Sequence, residues 1–220
     1  MTPRRVFLAT LALAALALPS LAGAVPPTRD EIAKWCAEAE DTAHCGRLIE
    51  AQQMQRLPGL ATRDGGTLKV SLYPSGSTSF TDVEDIRGGT VYNLWDNWSE
   101  INAVVVSVTR EDRTTYVVLL RAGGRTFALP AEPVLAPDRH HIVTADFCAK
   151  DCANELAVWR VSRDGIARDS TWKPVPTWSD AAVAWKDAEP LAIDYTPMGS
   201  ADSRTLARKL GDPGWRSAAQ

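Results

Sequence analysis

Six consecutive residues, Trp95-Asp96-Asn97-Trp98-Ser99-Glu100, gather two indoles and two carboxyls within a span short enough to serve one ligand. An indole offers a large flat face and one N–H donor, which suits stacking on a sugar or peptide. Two carboxyls with separated pKa values in one cleft can act as general acid and base. Trp95, Asp96, Trp98 and Glu100 are therefore the candidate ligand-binding residues, with Asp96 or Glu100 as the acid if the ligand is also cleaved. The competing expectation is that Trp95 and Trp98 lie buried under a sheet and touch no ligand. Exposure of the two rings decides between them.

The other chemistry-bearing residues point less far. The three histidines are His44, His140 and His141. His140 or His141 with Asp138 and Asp146 could ligate a metal. Adjacent strand residues point to opposite faces, however, so a turn entering a strand explains them and no metal or other cofactor is expected. Asp82, Glu84 and Asp85, and the pair Asp180 and Asp187, read as solvated acidic loops. The sequence contains no Gly-x-Ser-x-Gly, His-Glu-x-x-His, Gly-x-Gly-x-x-Gly or phosphate-loop pattern. Trp159, Trp172 and Trp185 recur every 13 residues, with Trp178 between the last two. Large aromatics at regular strand positions fill a core or cover a sheet edge.

The elements that must position these residues begin after an export signal. Arg4 and Arg5, the uncharged run Val6–Leu18 and Ala22-Gly23-Ala24 form the basic, apolar and small-residue parts of a cleavable signal peptide over residues 1–24. The apolar run falls short of the ~20 residues that a transmembrane helix needs. Arg4-Arg5-Val6-Phe7-Leu8 also fits twin-arginine export, with Sec export as the alternative. Losing Arg4 and Arg5 takes the formal charge from −3 to −5. An acidic chain excludes nucleic acid as a partner and gives anionic lipid no basic run. The expected location is the periplasm or the exterior.

Four cysteines form two local pairs, Cys36 with Cys45 and Cys148 with Cys152. In an oxidising compartment two disulfides are expected, and local pairing is the simplest of three connectivities. Thr28 to Glu31 is a capping box opening a helix to about Glu40, and Asp41 or Thr42 caps a second helix that runs to Arg56. On one unbroken helix Cys36 and Cys45 would stand about 13 Å apart, whereas a disulfide needs Cα atoms within about 7 Å. A turn near Glu40–Thr42 must intervene, which makes residues 25–60 a stapled helical hairpin.

From residue 61 to 198 the pattern turns to short β-branched runs broken by Gly, Pro and Asp. About twelve strands are expected in an antiparallel meander, with Ala103–Thr109 central because both its faces are apolar. Residues 199–220 are read as a short helix, capped by Asp202 and running through Lys209, and a tail. Two segments repeat: Glu132–Phe147 and Ala181–Thr196 each carry an apolar strand, a turn and a second apolar strand. From Val134 to Val183 is 49 residues and from Gly124 to Gly165 is 41, the length of one four-stranded propeller blade.

Residues 101–196 thus resemble β-propeller blades with an SPDG-like turn, here Ala136-Pro137-Asp138-Arg139, where Arg139 replaces the usual glycine. Proline presets one turn position and Asp can bond the backbone beyond it. The whole chain resembles uncharacterised exported bacterial proteins with a helical hairpin followed by such blades. Twelve strands make three blades, fewer than the four a closed propeller needs, so the expected form is a partial propeller or a sandwich-like meander. Two chains could also close one ring. The Cys-x8-Cys stretch, residues 36–57, resembles the paired-cysteine helices of periplasmic lysozyme inhibitors, and that resemblance implies a wall hydrolase gripped by acidic loops. The leading functional expectation is a non-enzymatic exported binding or interaction module. Its partner would be an envelope protein or a cell-wall glycan. The alternative is an envelope hydrolase acting on glycan or peptide.

Overall fold

The computed structural model describes residues 27–85, 88–111, 113–186 and 189–217. The expected signal peptide lies outside them, as does Asp187. The capping box at Thr28 forms as the sequence requires: Thr28 Oγ1 accepts from the Glu31 N–H at 3.2 Å and Glu31 accepts from the Thr28 N–H at 2.9 Å. Helix α1 (Arg29–Trp35) buries no residue and stops five residues short of the expected Glu40. The physical reason is the Cys36–Cys45 disulfide, whose Cα atoms stand 4.9 Å apart and force the chain to reverse within nine residues. Asp41 then caps helix α2 (Thr42–Arg56) through the His44 N–H at 2.7 Å. The second disulfide joins Cys148 to Cys152. No helix among the described residues is long and apolar enough to cross a membrane.

Four antiparallel sheets follow among the described residues. The first holds β1 (Ala61–Asp64), β2 (Thr67–Ser71) and β3 (Ser77–Thr81). The second holds β4 (Thr90–Trp98), β5 (Ala103–Arg110), β6 (Arg113–Leu120) and β7 (Arg125–Leu129). The third holds β8 (Pro133–Leu135), β9 (His141–Asp146), β10 (Glu155–Ser162) and β11 (Gly165–Trp172). The fourth holds β12 (Trp178–Trp185), β13 (Leu191–Pro197) and β14 (Arg204–Arg208). A last short strand, β15 (Arg216–Ser217), returns to pair with β11 at the edge of the third sheet.

Three apolar cores lie between successive sheets. Leu68, Val70, Leu94, Val104 and Val106 join the first sheet to the second. Trp98, Val105, Val118, Leu129 and Ile142 join the second to the third. Val143, Leu156, Val158, Trp178, Leu191 and Ile193 join the third to the fourth. Strand β5 serves both of its neighbours, with Val104, Val105 and Val106 all fully buried, each contributing about 2 kcal/mol by burial. This is the two-sided central strand that its continuous apolar run predicts. Close approach between the second and third sheets needs Gly165: a Cβ there would meet the Phe127 ring at 2.5 Å, and its φ of +134° favours glycine.

Of the recurring tryptophans, Trp159, Trp172 and Trp178 are core and sheet-edge residues, as expected. Trp178 stacks on Tyr195 with ring centroids 4.2 Å apart and meets Trp172 edge-on at 5.5 Å. Trp159 packs against the second core and donates to Thr144 Oγ1 at 3.0 Å.

Fifteen strands stand among the described residues where about twelve were expected. The additions are β1, β14 and β15, and β14 corrects the helix expected over 202–209. Seven residues make a marginal helix in isolation, whereas the free edge of β13 offers a ladder from Leu191↔Arg208 to Tyr195↔Arg204. Pairing there also turns Leu206 onto the third core.

Candidate functional site

The first strand of each of the last three sheets, β4, β8 and β12, lies at a sheet edge. These three strands and α1 border a partly open cavity of 570 Å³, within the usual range for small-molecule sites. Trp95, Asp96, Trp98 and Glu100 all line it. The four residues singled out from sequence therefore do converge on one space.

A β-bulge makes this possible. Leu94 pairs with Val106 and Asp96 with Val105, which leaves Trp95 as the extra residue. Without the bulge, Asp96 and Trp98 would share the face of Leu94 and point toward the first core. One inserted residue reverses the alternation. Trp95 and Asp96 then both face the third sheet, and Trp98 packs in the second core. Helix α2 satisfies the backbone at the bulge: Gln53 donates to the Trp95 carbonyl at 2.8 Å and the Leu94 N–H donates to Glu50 Oε2 at 2.9 Å. Gly46 lets the helix approach so closely, since a Cβ there would meet Asn93 Nδ2 at 2.3 Å.

The two indoles hold carboxyls rather than standing free. Trp98 is buried and its Nε1–H donates to Asp96 Oδ2 at 2.9 Å, while the Asn97 N–H donates to Asp96 Oδ1 at 2.7 Å. Trp95 is half-buried, packs edge-on to Tyr116 at 5.4 Å, and donates to Glu132 Oε1 at 3.0 Å. Glu100 stands exposed at the rim, on the short 3-10 turn Ser99–Ile101.

Asp96 is 6% exposed. Desolvation pushes its pKa up to about 6, the two hydrogen bonds oppose that rise, and the nearby Glu132 and Glu100 charges add to it. Glu132 reaches solvent inside the cavity, yet the protein atoms crowding its carboxyl still raise its pKa against the Trp95 hydrogen bond and the Arg29 charge. Burial raises Tyr116 as well, with help from Glu132. The β12 wall is apolar, built from Ala181, Val183 and Trp185. The Trp185 indole N–H finds no acceptor among the described residues.

Glu132 and the β12 wall were not singled out from sequence. The signal was present in the repeat, which aligns Glu132–Phe147 with Ala181–Thr196 and so places β8 and β12 in equivalent positions beside one cavity. The Ala136–Arg139 turn does what its residues require. Asp138 Oδ1 accepts from the His140 and His141 N–H groups at 2.7 and 3.0 Å, and Oδ2 pairs with His141 Nδ1 at 2.6 Å. Partial burial disfavours the Asp138 charge, but these bonds outweigh it and hold its pKa below the ordinary value. Arg139 adopts φ +63° at the position where the blade pattern carries glycine. No protein-family model matches the chain, and no curated protein or solved structure matches it either.

Proposed function

We propose that this is an exported, non-enzymatic binding module that holds a small polar ligand from the cell envelope in the cavity between β4, β8 and β12. The observation that carries this reading is the convergence of Trp95, Asp96, Trp98 and Glu100, with Glu132 added, on one cavity. Both disulfides fit an oxidising compartment. The test is calorimetric titration of the purified exported form with soluble cell-wall fragments, both glycan and peptide. Saturable binding that Trp95→Ala weakens at least tenfold supports the reading. A full panel without binding, or binding indifferent to Trp95→Ala, ends it.

A second reading is hydrolysis of an envelope glycan, with Asp96 as proton donor. Its support is the raised pKa of Asp96 beside two further carboxyls, since a proton donor works best with a pKa near the working pH. Release of new reducing ends from purified wall, abolished by Asp96→Asn, would favour it over simple binding.

A further inference from the structure

The cavity is chemically two-sided. Asp96, Glu100 and Glu132 supply three carboxyls from the β4 and β8 side, and β12 supplies Ala181, Val183 and Trp185. We infer that the ligand of this cavity is an organic cation, a primary ammonium group carried on a flat apolar body. This inference rests on the cavity being the ligand site.

Charge accounting supports it. Asp96, Glu100 and Glu132 form no ion pair within the protein among the described residues. Among the described residues two cations border the cavity, Arg29 on α1 and Arg139 on the β8–β9 turn. Arg29 pairs with Asp194 at 3.3 Å and its charge also acts on Glu132, and Arg139 is exposed on its turn. The cavity segment of β12 contributes no ionisable side chain. Asp96, the buried member of the three, thus pairs with no cation among the described residues, and its charge is left to be met by something that enters.

A metal ion is the weaker candidate: among the described residues no group of three or more His, Cys, Asp or Glu is placed to hold one. A neutral sugar would satisfy the carboxyls with hydroxyl donors but would leave the buried charge of Asp96 uncompensated, which is costly. An ammonium supplies three donors and a full charge. Its attachment to a flat body uses the apolar wall, and the half-buried indole of Trp95 adds a cation–π face. The indole N–H groups of Trp95 and Trp98 already hold the carboxyls in place, so the acceptors are oriented before the ligand arrives.

The test uses two probes of one shape, 2-phenylethylamine and 2-phenylethanol, titrated into the full exported chain by calorimetry. The amine is expected to bind saturably and at least tenfold more tightly than the alcohol at pH 7.5. Its affinity should fall as pH drops below about 6, where Asp96 takes up a proton. Asp96→Asn should weaken amine binding at least tenfold. Because Asp96 also holds the Asn97 N–H and the Trp98 indole, Glu132→Gln at a solvent-accessible carboxyl is the second variant, and it should weaken the amine several-fold with unchanged circular dichroism. Equal binding of amine and alcohol overturns the inference, and so does amine binding that neither variant reduces. If neither probe binds but a neutral wall fragment does, in a manner sensitive to Trp95→Ala, the cation inference fails while the cavity remains a binding site. If nothing binds, both fail.

Discussion

Glu50, on α2 against strand β4, and Asp96, on β4 itself, are both buried carboxylates, yet their surroundings differ in kind. Glu50 is 3% exposed and fully answered: Arg63 grips both its oxygens at 2.8 and 2.7 Å, Arg47 stands 3.6 Å away, and the Leu94 N–H donates to it. The same arginines bond the Tyr92 carbonyl and Asp82, knitting α2 and the first sheet to the back of β4. Asp96, two residues along from Leu94, meets only neutral donors and opens onto the cavity. A buried charge with its full complement of partners organises structure, and one left short of a counter-charge is poised to meet a ligand.

The comparison breaks most directly at Glu50. Glu50→Gln leaves two arginines facing a neutral amide in a largely buried setting. Removing one partner of such a group costs about 3–5 kcal/mol. Denaturant unfolding should read that loss directly, and a loss below about 1 kcal/mol would show that the pairing is not structural.

Asp96→Asn should act in the other direction, and its sign follows from linkage. Asp96 has its pKa raised from 3.8 to about 6 in the folded protein. Its contribution to stability is therefore fully present below pH 3.8 and is lost as pH rises through about 6. Relative to the Asn variant, the native protein should lose on the order of 3 kcal/mol across that window, with the difference flat above it. Thermal unfolding of both proteins from pH 3.5 to 8 checks this. A difference that does not move with pH would remove the contrast with Glu50.

The first disulfide sharpens the contrast from the side of α1. Cys36→Ser with Cys45→Ser removes the staple that ties α1 to α2, for about 2–3 kcal/mol by loop-closure entropy. Because α1 buries no residue, the effect should appear in hydrogen exchange as early opening of residues 28–36 with the sheets unaffected.

The smallest effect belongs to a third carboxylate. Asp138 is exposed and bonded to two N–H groups and to His141. Asp138→Ala should cost about 1 kcal/mol. Here the pKa is held down rather than pushed up, so the stabilisation should fade as pH drops through the carboxylate range, the reverse of Asp96.

Much of this architecture is legible locally. The Thr28–Glu31 box, the Asp41 cap and the Pro137-Asp138 turn depend on contacts within a few residues, and each forms where the residue types demand. The two local cysteine pairs are bonded, and the mainly β meander follows from the short β-branched runs. Strand β14 was not legible, because its helical appearance yields only to the free edge of β13, a long-range fact. Nor was the aim of the cavity residues.

By itself the sequence determined that two indoles and two carboxyls would sit within six residues, because proximity along the chain needs no fold. Which way they face was decided by the tertiary structure. The single-residue bulge at Trp95 reverses the side-chain alternation, and α2 holds the bulge by satisfying the Leu94 N–H and the Trp95 carbonyl. Glu132, 36 residues beyond Asp96, reaches the same cavity only because successive sheets bring their first strands together. A pleat has period two, so one long-range insertion decides between core and cavity for every residue after it.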